Sequence, residues 1–118
     1  MGNEKQNIIK DKSFQFALKI IELSQSLKKE YNYEIANQLI RSGTSIGANV
    51  EEAQAAQSKK DFISKLSISS KEARETKYWL RLIKESKLST NNLDGLINDC
   101  DDLINILTKI VKTSSTTI

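Results

Sequence analysis

SKKDFISKLSISSKEARETKYWLRLIKES, residues 58–86, is the segment from which the fold is read. Phe62, Leu66, Ser69, Ala73, Thr76, Leu80 and Ile83 follow one another at alternating steps of four and three. Such spacing lays small and apolar side chains along one stripe of an α-helix. Ser58 followed three residues later by Asp61 is a variant capping box, with Asp in place of Glu or Gln. The pattern predicts a helix from Lys59 to about Ser86. Lys84 and Lys87 near its end suit the negative pole of the helix dipole.

The same periodicity extends outward in both directions. Ile35, Leu39, Gly43, Ile46, Val50, Ala53 and Gln57 predict a preceding helix over about 34–57, with a seam close to a 3.5-residue period. Gly43 and Gly47 lie inside it. Each costs a helix about 1 kcal/mol relative to alanine. They mark either a weak or kinked helix or the close approach of a neighbour, and the seam position of Gly43 favours close approach. Phe16, Ile20, Leu23 and Leu27 predict the first helix, Phe14 to about Lys29, with Ser13 as N-cap and with Phe14, Leu18 and Ile21 widening its stripe. Tyr31-Asn32-Tyr33 reads as the connection to the second helix. Leu93, Leu96, Cys100, Leu103, Leu107 and Ile110 predict a last helix over about 91–112, entered through the Ser89–Asn92 cluster. Residues 1–12 are expected to form a flexible arm and residues 113–118 a frayed tail. Residues 13–112 then constitute one all-α domain, an antiparallel up-down four-helix bundle.

Composition narrows function by exclusion. The 118-residue chain has no His, no Pro, four Gly and one Cys. Without His there is no Ser-His or Cys-His nucleophile pair, and with a lone Cys there is no intrachain disulfide and no Cys/His zinc site. Cys100 falls on the apolar seam, where it reads as a small core residue. Residues 43–47 (GTSIG) lack the spacing of a phosphate loop and sit inside a helical period. No catalytic residue, metal ligand or cofactor site is expected. No apolar run approaches the roughly 18 residues of a membrane span, and residues 1–13 lack the apolar centre of a signal peptide. The expectation is a soluble cytoplasmic protein with no membrane partner.

Two helices carry more pattern than one core requires. Gln38, Arg41, Ser45, Asn49 and Glu52 form a polar stripe away from the seam of the second helix, either an ordinary solvated face or a set of hydrogen bonds to another helix or subunit. On the third helix, Ile68, Glu72, Glu75, Trp79 and Leu82 form a second face that suggests self-association. Glu72 or Glu75 is positioned to meet Arg41 across helices or chains. A further face of the third helix is basic, with Lys71, Arg74, Tyr78 and Arg81, and Lys59 and Lys60 as additions. Net charge is +5 over residues 59–88 but −2 over 34–58 and −2 over 89–118, within a total of +3. A basic stripe interleaved with Tyr is either an ordinary solvated helix face, the commoner case for a monomer, or a contact for RNA or DNA phosphates, which assembly in a ring would favour by repeating it.

The stretch QLIRSGTSIGANVEEAQAAQSKKDF (38–62) followed by KEARETKYWLRLI (71–83) resembles the four-helix bundle family that includes proteins encoded in intervening sequences of bacterial 23S ribosomal RNA genes. The resemblance covers about residues 13–112. Gln38, Arg41, Ser45, Ile46, Asn49, Glu52 and Glu75 match its characteristic positions. It implies a left-handed four-helix bundle that assembles as a homopentameric ring without catalytic residues. A related protein, the accessory variability determinant of diversity-generating retroelements, forms a similar basic ring that binds nucleic acid and a reverse transcriptase. This chain departs from that relative in being only mildly basic. The combined expectation is a non-enzymatic scaffold or accessory factor for RNA or a nucleoprotein complex, with a nucleic-acid-handling protein as a further partner. The alternative is a protein–protein interaction module with no nucleic-acid role.

Overall fold

Four narrow apolar stripes are hidden together only when four helices turn them toward a common axis. The computed structural model describes residues 4–116 and shows this arrangement as α1 (Glu4–Lys29), α2 (Tyr33–Gln54), α3 (Lys59–Ser86) and α4 (Asp94–Thr116). Each helix packs on the next and α4 closes on α1, so α1 and α3 are diagonal, as are α2 and α4. The bundle measures 49 × 21 × 18 Å, its length set by α3, whose 28 residues rise about 42 Å. Ile20, Leu27, Leu39, Ile46, Leu66, Leu80, Leu103 and Leu107 are fully buried along the axis.

Small polar residues share that core, and Ser42, Ser69 and Thr76 find partners there, whereas the buried Ser24 hydroxyl has none among the described residues. The Ser69 hydroxyl donates to the Ile46 carbonyl at 2.8 Å, and the Thr76 and Ser42 hydroxyls lie 2.9 Å apart. Cys100 occupies a core position, and its Sγ donates to the Ala73 carbonyl at 3.1 Å. These contacts satisfy groups that would otherwise cost about 1–3 kcal/mol each when buried alone.

Helix α3 has the boundaries expected of it, and its cap is present: the Asp61 N–H donates to Ser58 Oγ at 3.0 Å. Both α1 and α3 stop at left-handed residues, Tyr31 (φ 66°) and Lys87 (φ 59°). Asn32 N–H reaches back to Leu27 O, and Leu88 N–H to Ile83 O, the six-to-one bond of a Schellman ending. The other boundaries differ from expectation. Helix α1 begins at Glu4 rather than Phe14, so residues 4–12 of the expected arm are helical. The reason is Ile9, fully buried one heptad before Phe16 on the same stripe. Ser13 is therefore not a cap. It is a buried mid-helix residue whose hydroxyl donates to the Lys10 carbonyl. Helix α2 ends at Gln54, before Gln57, because Ser58 must be extended to cap α3. Helix α4 starts at Asp94, whose N–H bonds Asn92 Oδ1 at 2.9 Å. It runs on to Thr116 through most of the expected tail. Residues 1–3 and 117–118 lie outside the described residues.

Gly43 does mark a close approach. A Cβ built there would lie 2.7 Å from Ile20 Cγ2, too close to exist without displacement of α1. Gly95, in the first turn of α4, has open space around it. The two glycines should respond oppositely to alanine. Gly43→Ala should lose about 1–3 kcal/mol through overpacking, whereas Gly95→Ala should gain about 0.5 kcal/mol by restricting the unfolded chain. Urea denaturation of both variants checks the pair of signs.

Candidate interaction faces of helix α3

Because α3 touches α2 on one side and α4 on the other, its non-core side chains divide into two flanks and an outer face. On the α2 flank Arg41 reaches over to Glu72 and Glu75, with Nη1 3.3 Å from Glu72 Oε1 and Nη2 bonded to Glu75 Oε2. The same guanidinium donates to Gln38 Oε1 at 3.3 Å, and Trp79 Nε1 donates to Glu75 Oε2 at 2.9 Å. Arg41 thus bridges helices within one chain. Lower on the same flank, Lys65 pairs with Glu52 at 3.0 Å. The other members of the α2 stripe bond inside their own helix: Ser45 Oγ donates to Arg41 O, and Asn49 Nδ2 to Ser45 O. Trp79 is half-buried against the core, while Ile68 and Leu82 remain exposed.

The α4 flank is cationic. Lys71, Arg74, Tyr78 and Arg81 come together along a groove between α3 and α4, joined there by residues whose pattern did not announce them. Lys77 pairs with Asp101 at 2.7 Å, and Arg74 Nη2 donates to Thr108 Oγ1 at 3.4 Å. Asn105 and Lys112 complete the α4 wall. Lys59 and Lys60 are exposed in the first turn of α3 and lie about 17 Å of helical rise from Lys71, outside the groove. Tyr78 meets the Trp79 ring edge-on at 5.3 Å, tying the groove to the apolar outer face.

A second exposed apolar pair lies across the bundle. Phe14 and Leu18 of α1, expected to widen the core stripe, are 59% and 48% exposed instead. Residues at 16, 20, 23 and 27 already fill the inward face, leaving these two one turn apart on the outside. Between α1 and α2 beside them is a shallow apolar depression containing Ala17, Gly47 and Ala48.

Burial, with the nearby Asp101 charge, pushes the Cys100 thiol up to about 12, so it stays protonated at neutral pH. Among the described residues no group of three or more His, Cys, Asp or Glu converges to hold a metal. Within the same span no helix is long and apolar enough to cross a membrane.

The profile of the 23S rRNA-intervening sequence protein family matches residues 5–109. The chain belongs to that family. A crystal structure of a protein of unknown function from the S23 ribosomal protein family of Bacteroides thetaiotaomicron is similar, with 43% identity and a TM-score of 0.87. The match covers 92% of this chain and 98% of that one. No curated protein matches. Arg41, Gln38, Glu72 and Glu75 together clasp α2 to α3.

That clasp is half-exposed, so its contribution is limited to about 1 kcal/mol by screening. Arg41→Ala should destabilise the protein by about that amount, partly by leaving Glu72 and Glu75 facing each other on adjacent turns. In an Arg41→Ala/Glu72→Gln double-mutant cycle the losses should be non-additive by about 0.5 kcal/mol, and the coupling should shrink in high salt.

Proposed function

We propose that the protein is a non-enzymatic, ring-forming bundle that serves as a scaffold or accessory factor for RNA or a nucleoprotein complex. The observation that carries this reading is the cationic α3/α4 groove. Among the described residues Lys71 and Arg81 have no acidic partner, so their charge is available to phosphates. Exposed Tyr78 beside them supplies an aromatic face of the kind that stacks on bases.

Self-association is supported by the two apolar surfaces. One lies on α1, with Phe14 and Leu18, and the other on α3, with Ile68 and Leu82. They are different surfaces on diagonal helices, so a contact between them is head-to-tail rather than self-complementary. A head-to-tail contact that closes makes a ring, five-membered if the family resemblance extends to assembly. Repetition of the groove around a ring would multiply a weak phosphate contact into avid binding.

Two measurements test these halves separately. Light scattering at micromolar concentration should give a mass several times 13.3 kDa, and Leu18→Glu or Leu82→Glu should reduce it; a wild-type monomer there removes the ring. Titration with a structured RNA containing unpaired loops should show binding at low salt that falls steeply as salt rises. Arg74→Glu with Arg81→Glu should weaken it at least about tenfold. Absence of binding at low salt, or binding indifferent to the double reversal, would leave a protein-interaction module without a nucleic-acid role.

A further inference from the structure

The α3/α4 groove consists of two depressions, of about 570 and 330 Å³, that meet at Arg74 and Thr108. The first holds Tyr78, Arg81 and Asn105, and the second Lys71 and Lys112. We propose that this groove takes a single strand of RNA. Its phosphates lie on Lys71, Arg74, Arg81 and Lys112, a ribose 2′-hydroxyl on the Asn105 amide, and a base on the Tyr78 ring. The assignment rests on the RNA reading above and adds to it the strandedness, the sugar and the α4 wall.

Four features lead there. The cations are strung out rather than convergent: Lys71 and Arg81 are ten residues apart, about 15 Å of helical rise. A small anion needs its donors gathered at one point, whereas a polynucleotide offers a phosphate about every 3.4 Å along a duplex strand and more widely when extended. The carboxylate lining these depressions, Asp101, is neutralised by Lys77 at 2.7 Å, so it does not repel phosphate. Helices packed at an axis separation of about 8–10 Å are in contact, so the space between α3 and α4 is a shallow furrow that a single strand can lie along and a duplex cannot enter. Finally, Asn105 is exposed and makes no side-chain hydrogen bond among the described residues. An amide both donates and accepts, as a 2′-hydroxyl does, and that hydroxyl is what distinguishes RNA from DNA. Thr108 cannot take this role as donor, because its hydroxyl already donates to Ile104 O at 2.7 Å.

Fluorescence anisotropy of the full chain with labelled oligouridylate of about 12 nucleotides, its 2′-deoxy counterpart and an RNA duplex of equal length tests the assignment. Oligouridylate should bind about fivefold more tightly than either competitor. Asn105→Ala should abolish the preference over the deoxy strand while leaving deoxy affinity unchanged. Lys112→Glu should weaken both single strands about tenfold. Asn105, Lys112, Arg74 and Arg81 are all exposed, and circular dichroism verifies the fold of each variant. Equal affinity for ribo- and deoxy-strands, or tighter binding of duplex, overturns the single-strand assignment. If Arg74→Glu with Arg81→Glu still weakens binding in that event, the broader nucleic-acid reading survives. No binding of any probe at low salt overturns both.

Discussion

The bundle depends on the missing side chain at residue 43. With Ile20 Cγ2 only 2.7 Å from where a Cβ would stand, α1 lies directly on the backbone of α2. That approach fixes the separation of the first helix pair and lets a chain of 38% apolar content close a core. The neighbouring layers follow the same rule. Ser42, Ser69, Ala73, Thr76 and Cys100 are all small and all buried, and the hydroxyls and the thiol lie against carbonyls or each other on facing helices. Close helices bring such partners within hydrogen-bond range, so small polar residues become tolerable at core positions.

This explains which parts of the fold were legible in the sequence. The seams of α2, α3 and α4 were read from step sizes alone, because steps of three and four continue through Ser69, Thr76 and Cys100 even where the residues are not apolar. The Ser58 cap was legible because its chemistry is local. The start of α1 was not. Residues 1–12 contain two apolar residues, too few to establish a period, and only the tertiary fold shows that Ile9 continues the Phe16 stripe. Phe14 and Leu18 were misread for the related reason that a periodic stripe does not state its own width.

The candidate surfaces divide along the same line. Opposite charge alone suggests Arg41 and one of the two glutamates as partners, across helices or chains, and the structure brings both glutamates to Arg41 within one chain. The basic stripe of α3 was visible as a repeat, but its opposite wall was not. Asn105, Thr108 and Lys112 belong to a helix whose segment is net acidic, and nothing in their spacing associates them with Arg74. Such a wall is created by packing, since α3 and α4 are neighbours only because the bundle closes.

Packing also edits the charge. The +5 of residues 59–88 is not spread evenly over the folded surface. Lys65 is tied to Glu52, Lys77 to Asp101 and Lys84 to Asp94, each at 3.0 Å or less. Those pairs involve both acidic neighbours, α2 and α4 with its leading turn, and they neutralise the flanks of α3. Lys71 and Arg81 remain without acidic partners, and Arg74 donates to a neutral hydroxyl. A modest total charge therefore coexists with a concentrated positive line, because acidic helices on either side cancel cations at their own contacts and leave Lys71, Arg74 and Arg81 along the α3/α4 groove without acidic partners. Electrostatic attraction for a polyanion follows that local line rather than the net +3, since at physiological salt charges more than about 8 Å away are largely screened.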